Sequence, residues 1–399
     1  MKRHLIMIVG GYYPTPSATG RCAEDIIQLI QEQYNIDVIC LSRADNTEYE
    51  YKGKRVFPVG DWYSHLQHTL RNNGRTKVLY RIVKAPVYFM DFFRNPNNLH
   101  WYVNATYKKL EAIHSDKPID VIFSVGAPMA AHCAAMQFKA LHPEVRWVTY
   151  SVDSYAAQNK NKKRFRNFEK GVLGKSDYNL LSEEIYNNSP FLYDGFADRV
   201  GTLPYLLPAI RHGMSHNHYF DSSKTNFVYA GSFYKEIRNP SFLLEAFMHT
   251  REDAVLHLFC SSDCDELINQ AVATSHGKIV RHGIVGPDEI ADVYAEADVL
   301  VSVGNSLPEF KPSKTFEYIA TCKPILNIYY NGLRDNVLEN YPMSLQICNS
   351  AEAILSAKEI DEFISISAGK MVLEDEIKTR FKKYMPDSIQ TIMTNALRG

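Results

Sequence analysis

The feature that most constrains this chain is a rhythm of short apolar runs separated by longer stretches that are apolar on one side only. Leu5–Val9, Ile36–Leu41, Val121–Val125, Trp147–Val152 and Tyr178–Ser182 read as strands. Between them lie helical patterns, one with Ala23, Ile26, Ile27 and Ile30 on a single face and another over Met129–Leu141. Strands that are apolar on both sides, alternating with amphipathic stretches, predict a parallel sheet covered by helices on both faces. The series then begins again. Phe227–Ala230, Val255–Cys260, Lys278–Arg281, Val299–Val303 and Ile325–Tyr329 read as strands, with helices around Phe242–Met248, Asp265–Ala273, Asp288–Ala297 and Lys314–Thr321. Leu203–Pro208 separates the two series, and its two prolines interrupt any regular element. A chain of 399 residues is also longer than one core supports, since domains split beyond ~250–300 residues. The expectation is an α/β protein with two doubly wound domains, 1–205 and 206–375. A final segment, 376–399, is expected to cross back onto the first domain, with helical periodicity over Asp375–Leu397.

Composition removes several classes. A net charge of −1 argues against nucleic acid as a partner, which calls for a basic surplus. The seven cysteines are scattered, and Cys260 and Cys264 are followed by no second pair at zinc spacing. Free thiols in a reducing compartment are expected. Asp263-Cys264-Asp265 has the form of a metal-binding Asp-x-Asp, but it follows a strand and opens a helix, where capping is the expected role. The apolar run after Lys2-Arg3-His4 is too short for a signal-peptide core, and no stretch reaches the ~18 apolar residues of a membrane span. A cytoplasmic protein is expected. One segment breaks the rhythm: residues 74–96 mix Arg75, Lys77, Arg81 and Lys84 with Leu79, Tyr80, Val87, Phe89, Met90, Phe92 and Phe93. Such a composition suits either a peripheral membrane contact at the inner face of the cell membrane or a helix packed on its own domain. The basic run Lys160 to Arg166 reads as a solvated loop or helix start that can reach the same surface.

Chemistry concentrates between Glu309 and Glu317. The apolar run Val299–Val303 precedes the segment, and Pro312 or Ser313 is a good first-turn or capping residue for the helix that follows. A helix start in a loop at a sheet end suits a diphosphate. Glu317, about a turn inside, can accept ribose hydroxyls, and Glu309 can accept hydroxyls of a sugar; carboxylates accept strong, charge-assisted hydrogen bonds.

The string Glu309-Phe310-Lys311-Pro312-Ser313-Lys314-Thr315-Phe316-Glu317, continued by Tyr318-Ile319-Ala320-Thr321-Cys322-Lys323-Pro324-Ile325, resembles the donor-site motif of retaining GT-B glycosyltransferases of family 4. Phe227 to Ser232 resembles the strand and glycine turn that open the nucleotide-binding domain of that family. Arg281-His282-Gly283 resembles its turn near the base, and the loop ending in Gly20 resembles its first-domain glycine loop. The resemblance is strong over 226–330 and loose elsewhere. It implies two Rossmann-like domains facing across a cleft, a nucleotide diphosphate sugar (UDP in the first instance) as donor, retention of configuration, and no metal or other cofactor. It implies that Glu309, Arg238, Lys235 and, on the acceptor side, Asp153 serve the reaction. Gly20, Gly231, Ser232, Gly283, Phe310, Lys311, Pro312, Ser313, Lys314 and Glu317 would bind the donor. The acceptor it implies is a glycan, in particular a lipid-linked one in bacterial surface polysaccharide synthesis. Two departures stand out: Ser232 occupies the place of an arginine, and Gly126 that of a histidine, with His132 six residues on. These departures keep open a non-catalytic member that binds a sugar nucleotide or a partner. A sugar-nucleotide epimerase, which the resemblance implies shares the fold, is the other alternative reading.

Overall fold

The computed structural model describes residues 2–14, 16–42, 45–60, 65–66, 69, 100–160, 162–210, 219–312, 314–330, 332–367 and 369–398. The segment 74–96, expected to meet a membrane or its own domain, and Ser313, expected to bind donor, lie outside the described residues. The chain divides into two compact units, Met1–Leu206 with Pro386–Gly399, and Leu207–Met385.

The first unit carries an eight-stranded sheet in the order β3-β4-β2-β1-β5-β6-β7-β8. Its strands are β1 (Arg3–Val9), β2 (Tyr34–Leu41), β3 (Tyr49–Tyr51), β4 (Lys54–Val59), β5 (Val121–Gly126), β6 (Arg146–Ser151), β7 (Tyr178–Leu181) and β8 (Val200–Thr202). All neighbours pair in parallel except β3 and β4, whose antiparallel hairpin forms one edge. The period of two in β1 divides its side chains between two cores: Leu5, Met7 and Val9 face one, Ile6 and Ile8 the other. Burial on both faces explains why β1 is a continuous apolar run rather than an alternating one. The first core is closed by the helix Pro386–Arg398, which inserts Ile389, Met393, Ala396 and Leu397. Those positions lie on one helical face. The Arg146 guanidinium donates to the Ala396 carbonyl (Nε 3.0 Å) and holds the end of that helix.

The second unit is a six-stranded, all-parallel sheet ordered β11-β10-β9-β12-β13-β14. The strands are β9 (Thr225–Phe233), β10 (Ala254–Ser262), β11 (Ile279–Arg281), β12 (Val299–Val303), β13 (Ile325–Tyr329) and β14 (Ser344–Cys348). The expected continuous helix over Asp375–Leu397 is split. Glu374–Arg380 forms one helix and Pro386–Arg398 another, because a proline lacks the amide that a continuous helix needs. Ile377, Phe381 and Tyr384 stay buried in the second unit, where the Tyr384 ring lies 5.0 Å from that of Phe316.

In each sheet the order reverses direction once among its sequential strands, between β1 and β5 and between β9 and β12. Open α/β sheets bind ligands outside the carboxyl ends of the strands at such points.

Candidate functional site

The carboxyl ends of β9 and β12 gather most of the residues expected to bind a donor. After Gly231 and Ser232, β9 runs into a tight turn in which the amides of Tyr234 and Arg238 donate to each other's carbonyls. The Ser306 amide donates to the Ile237 carbonyl (2.8 Å), which ties this turn to the loop after β12. Asn305 joins the two more directly. Its side-chain oxygen accepts from Arg238 Nε at 3.0 Å, and its amide nitrogen donates to the Phe310 carbonyl at 3.1 Å. Arg238 also donates to the Ser232 carbonyl at 3.3 Å. One arginine, one asparagine and the Glu309–Phe310 peptide region thus form a single network, with Glu309 5% exposed. Asn305 escaped sequence reasoning because a lone asparagine in a loop carries no periodic signal.

The rest of the loop is held by Asp335, a second residue the sequence did not single out. Lys311 forms an ion pair with it at 3.0 Å, with both side chains about a tenth exposed. The other role of Asp335 is to accept the amides of Val337 and Leu338 and so cap the helix Asn336–Glu339. Pro312 precedes the helix Lys314–Ile319, and its carbonyl accepts from the Thr315 amide at 3.2 Å. Lys314 donates to Glu317 (2.6 Å) and to the Tyr294 hydroxyl (3.0 Å). The helix has only six residues, so the charge facing an anion here comes from side chains more than from an extended dipole.

Other expected residues fall into place differently. Ser232, in the place where the resemblance implies an arginine, shares a 2.7 Å hydrogen bond with Ser261 on β10. The Lys235 side chain is exposed, while its amide donates to Asp263 at 2.7 Å. Asp263 therefore pins the turn and does not cap the following helix; the N-cap position there is Cys264, which makes no side-chain cap. Gly283 has φ +86 and open space where a Cβ would stand. It follows His282, whose ring stacks on Phe259 at 4.4 Å, beyond β10 rather than at the β9–β12 ends.

Gly20 and Asp153 belong to the first unit. A Cβ at Gly20 would lie 2.0 Å from the Gly11 carbonyl oxygen, so the loop after β1 and the start of the helix Ala18–Ile30 touch through bare backbone. Gly20→Ala should lower the melting temperature by roughly 5 °C through overpacking. Gly171→Ala, with nothing within 4 Å of the added carbon, should not, and equal melts for the two would contradict this packing.

Asp153 lines a cavity of about 250 Å³ with Gly126, Ala127, Pro128, Tyr155, Gln158 and Asn159 among its neighbours. The helix Tyr155–Gln158 is capped by Ser154, whose hydroxyl accepts from the Ala157 amide, and Asp153 is not the cap. Burial, with the Glu184 charge added, pushes the Asp153 carboxyl up to about 6. A raised carboxyl favours the fold most when protonated, so stability declines as pH climbs from about 4 to about 6. Asp153→Asn should match the wild type near pH 4 and melt roughly 5 °C higher at pH 7.5. Thermal melts across that range check it; a constant offset would refute the sign.

His132 sits wholly inside, its Nδ1 2.8 Å from Ser124 Oγ and its Nε2 3.3 Å from Ser151 Oγ. Burial pushes its ring down to about 3, which keeps it neutral. A Cβ on Gly126 would meet His132 Nε2 at 2.7 Å, so the ring from the helix fills the room a side chain on β5 would need. Among the described residues, His114, His142 and Glu144 come close enough to hold a metal ion. Ile119 already donates to His114 Nδ1, and Glu111 engages His142 Nε2, so hydrogen bonds account for the group. All seven cysteines are free, and no helix among the described residues is long and apolar enough to cross a membrane.

Two parallel-sheet α/β units of this kind make up the GT-B architecture. Solved structures with that fold superpose on the chain over nearly its whole length. Sucrose-phosphate synthase from Thermosynechococcus elongatus matches with a TM-score of 0.69 at 12% identity, covering 98% of each chain. HepE from Anabaena, in complex with UDP and glucose, matches with a TM-score of 0.63 at 10% identity over 98% of this chain and 99% of its own. A UDP-forming α,α-trehalose-phosphate synthase from Burkholderia xenovorans, in complex with glucose-6-phosphate, matches at 0.65 and 11% over 99% and 100%. No protein-family model and no curated protein sequence matches the chain.

Proposed function

We propose that the protein transfers a sugar from a nucleotide diphosphate sugar, UDP-linked in the first instance, to a hydroxyl acceptor with retention of configuration. The observation that carries this reading is the Arg238–Asn305–Phe310 network at the β9–β12 switch point, which sets a guanidinium beside the Glu309 loop. The complexes of similar folds with UDP support the choice of base.

In this reading Arg238, with Lys314 or Lys235, binds the departing diphosphate and stabilises the charge that develops on it. Such stabilisation is worth about 3–4 kcal/mol per well-placed donor. Glu309 holds sugar hydroxyls and Glu317 the ribose, for which it exchanges part of its contact with Lys314. Ser232 supplies a hydroxyl in place of the charge that similar enzymes draw from an arginine. Asp153 acts on the acceptor side. No metal or other cofactor enters the proposed chemistry. The proposed acceptor is a lipid-linked glycan of surface polysaccharide synthesis, met at the inner face of the cell membrane through residues 74–96; its support is the composition of that segment and the family resemblance.

A thermal-shift series with UDP, GDP, ADP and their sugar conjugates tests the donor, because a bound ligand raises stability by RT ln(1 + [L]/Kd). UDP compounds should raise the melt by several degrees at millimolar concentration; no response to any nucleotide would remove the reading. The Ser232–Ser261 pairing favours one other possibility, a member that binds a sugar nucleotide without turning it over. Binding with no release of free nucleotide diphosphate, with or without acceptors, would select it.

A further inference from the structure

The amino ends of β1 and β2 lie at the opposite edge of the first sheet from the glycine loop. There a cavity of about 470 Å³ is lined by Lys2, Gln31, Glu32, Lys52, Lys54 and Lys117, among others. The Lys52-Gly53 turn between β3 and β4 brings two of these lysines to its wall. Lys54 is only 5% exposed. Its ammonium donates to Gln31 Oε1 at 3.2 Å and to the Lys52 carbonyl at 3.1 Å, both neutral acceptors. Among the described residues no carboxylate oxygen lies within 4.0 Å of it, although buried lysines are almost always paired. An ammonium has three donors, and two are used.

The neighbours do not supply the missing charge. Lys52 is committed to Glu24 at 3.1 Å, on the other side of the turn. Glu32, the acidic residue of the lining, is itself 3.6 Å from Lys2 and its side chain is 89% exposed. Lys117 adds a fourth cation that pairs with no carboxylate among the described residues. Four lysines line one cavity, one of them turned to Glu24 and the most buried without a counter-ion among the described residues, and they describe a receptor for a compact dianion.

We propose that this cavity binds a phosphate-bearing small molecule, with the phosphate seated on Lys54 and Lys117. Its volume exceeds that of inorganic phosphate and suits a sugar phosphate, in the range of small-molecule sites. The site lies entirely within the first unit and stands whether or not the donor reading holds. The lysines act as point charges that a tetrahedral anion accepts from any side.

Isothermal titration of the full chain with inorganic phosphate and, separately, with a hexose phosphate tests it, at ionic strength matched with chloride. Saturable binding is expected, weakened about 10-fold by Lys117→Ala and by Lys54→Gln, the loss of one charge-assisted contact each. Tighter binding of the hexose phosphate identifies an organic ligand; equal binding identifies the phosphate group alone as what is read. Should Lys54→Gln fail to fold, Lys2→Ala and Lys117→Ala, both nearer the surface, decide the matter. Binding that is absent in the wild type, or that both of these variants retain at full strength, overturns the proposal.

Discussion

Replacing Arg238 with alanine should cut sugar transfer by about 10²–10³-fold while leaving the melting curve close to that of the wild type. The guanidinium spends two of its five N–H donors on Asn305 and the Ser232 carbonyl, which fix its plane. The other donors then meet the diphosphate in a preset direction, so the loss should appear mainly in kcat rather than KM. Arg238→Lys keeps the charge without the planar fork, and an intermediate loss is expected. Glu309→Gln should lose at least ~10-fold by weakening its grip on the sugar hydroxyls. Release of nucleotide diphosphate from whichever sugar nucleotide stabilises the protein is the assay. Wild-type turnover in both Arg238→Ala and Glu309→Gln would dismiss the proposed site.

The second large effect is expected at Asp335, and it is one of stability. Asp335→Ala leaves the Lys311 ammonium about nine-tenths buried without its carboxylate and uncaps the helix Asn336–Glu339. Breaking a buried pair from one side costs about 3–5 kcal/mol, equivalent to a fall of roughly 10 °C for a unit of this size. Removing both charges together, as in Lys311→Met with Asp335→Leu, should recover much of the loss, since the penalty comes from parting a buried charge from its carboxylate. Tryptophan fluorescence is a poor reporter here, because Trp62, Trp101 and Trp147 all lie in the first half of the sequence. Far-UV circular dichroism follows the second unit as well. A melt unchanged by Asp335→Ala would show that the pair is solvated in solution.

The strands that stand out most in the sequence are those buried along most of their length. β1, β5, β9, β12 and β13 are rich in apolar residues with few polar interruptions, and burial is what their composition encodes. Sequence reading missed β3, β4, β8 and β14: Tyr-Glu-Tyr, Val-Gly-Thr and Ser-Leu-Gln-Ile-Cys hold no continuous apolar run, and in β4 the proline of Val-Phe-Pro-Val interrupts the pattern. Helical periodicity ran through Pro386 because the buried positions on either side of the break share similar spacing. In the candidate site, Arg238, Glu309 and Lys311 were singled out by their order along the chain. The residues that orient them were not. Asn305 and Asp335 act through partners distant in sequence, Arg238 in one case and Lys311 in the other, and no local pattern marks such a meeting. The same holds for His132: only the packed structure shows its ring taking the space above Gly126.

The helix Pro386–Arg398 gives the protein a particular order of assembly during its synthesis. Unit one needs Ile389, Met393 and Leu397 for its core, yet the ribosome reaches them only after all of 207–385 has been made. At about 5–20 residues per second that delay is roughly 10–40 s. Through it the nascent sheet of the first unit keeps an open apolar groove, while the second unit already has every strand it needs. A chain ending at Met385, once released from the ribosome, should therefore hold a finished second unit beside a first unit that still attracts chaperones.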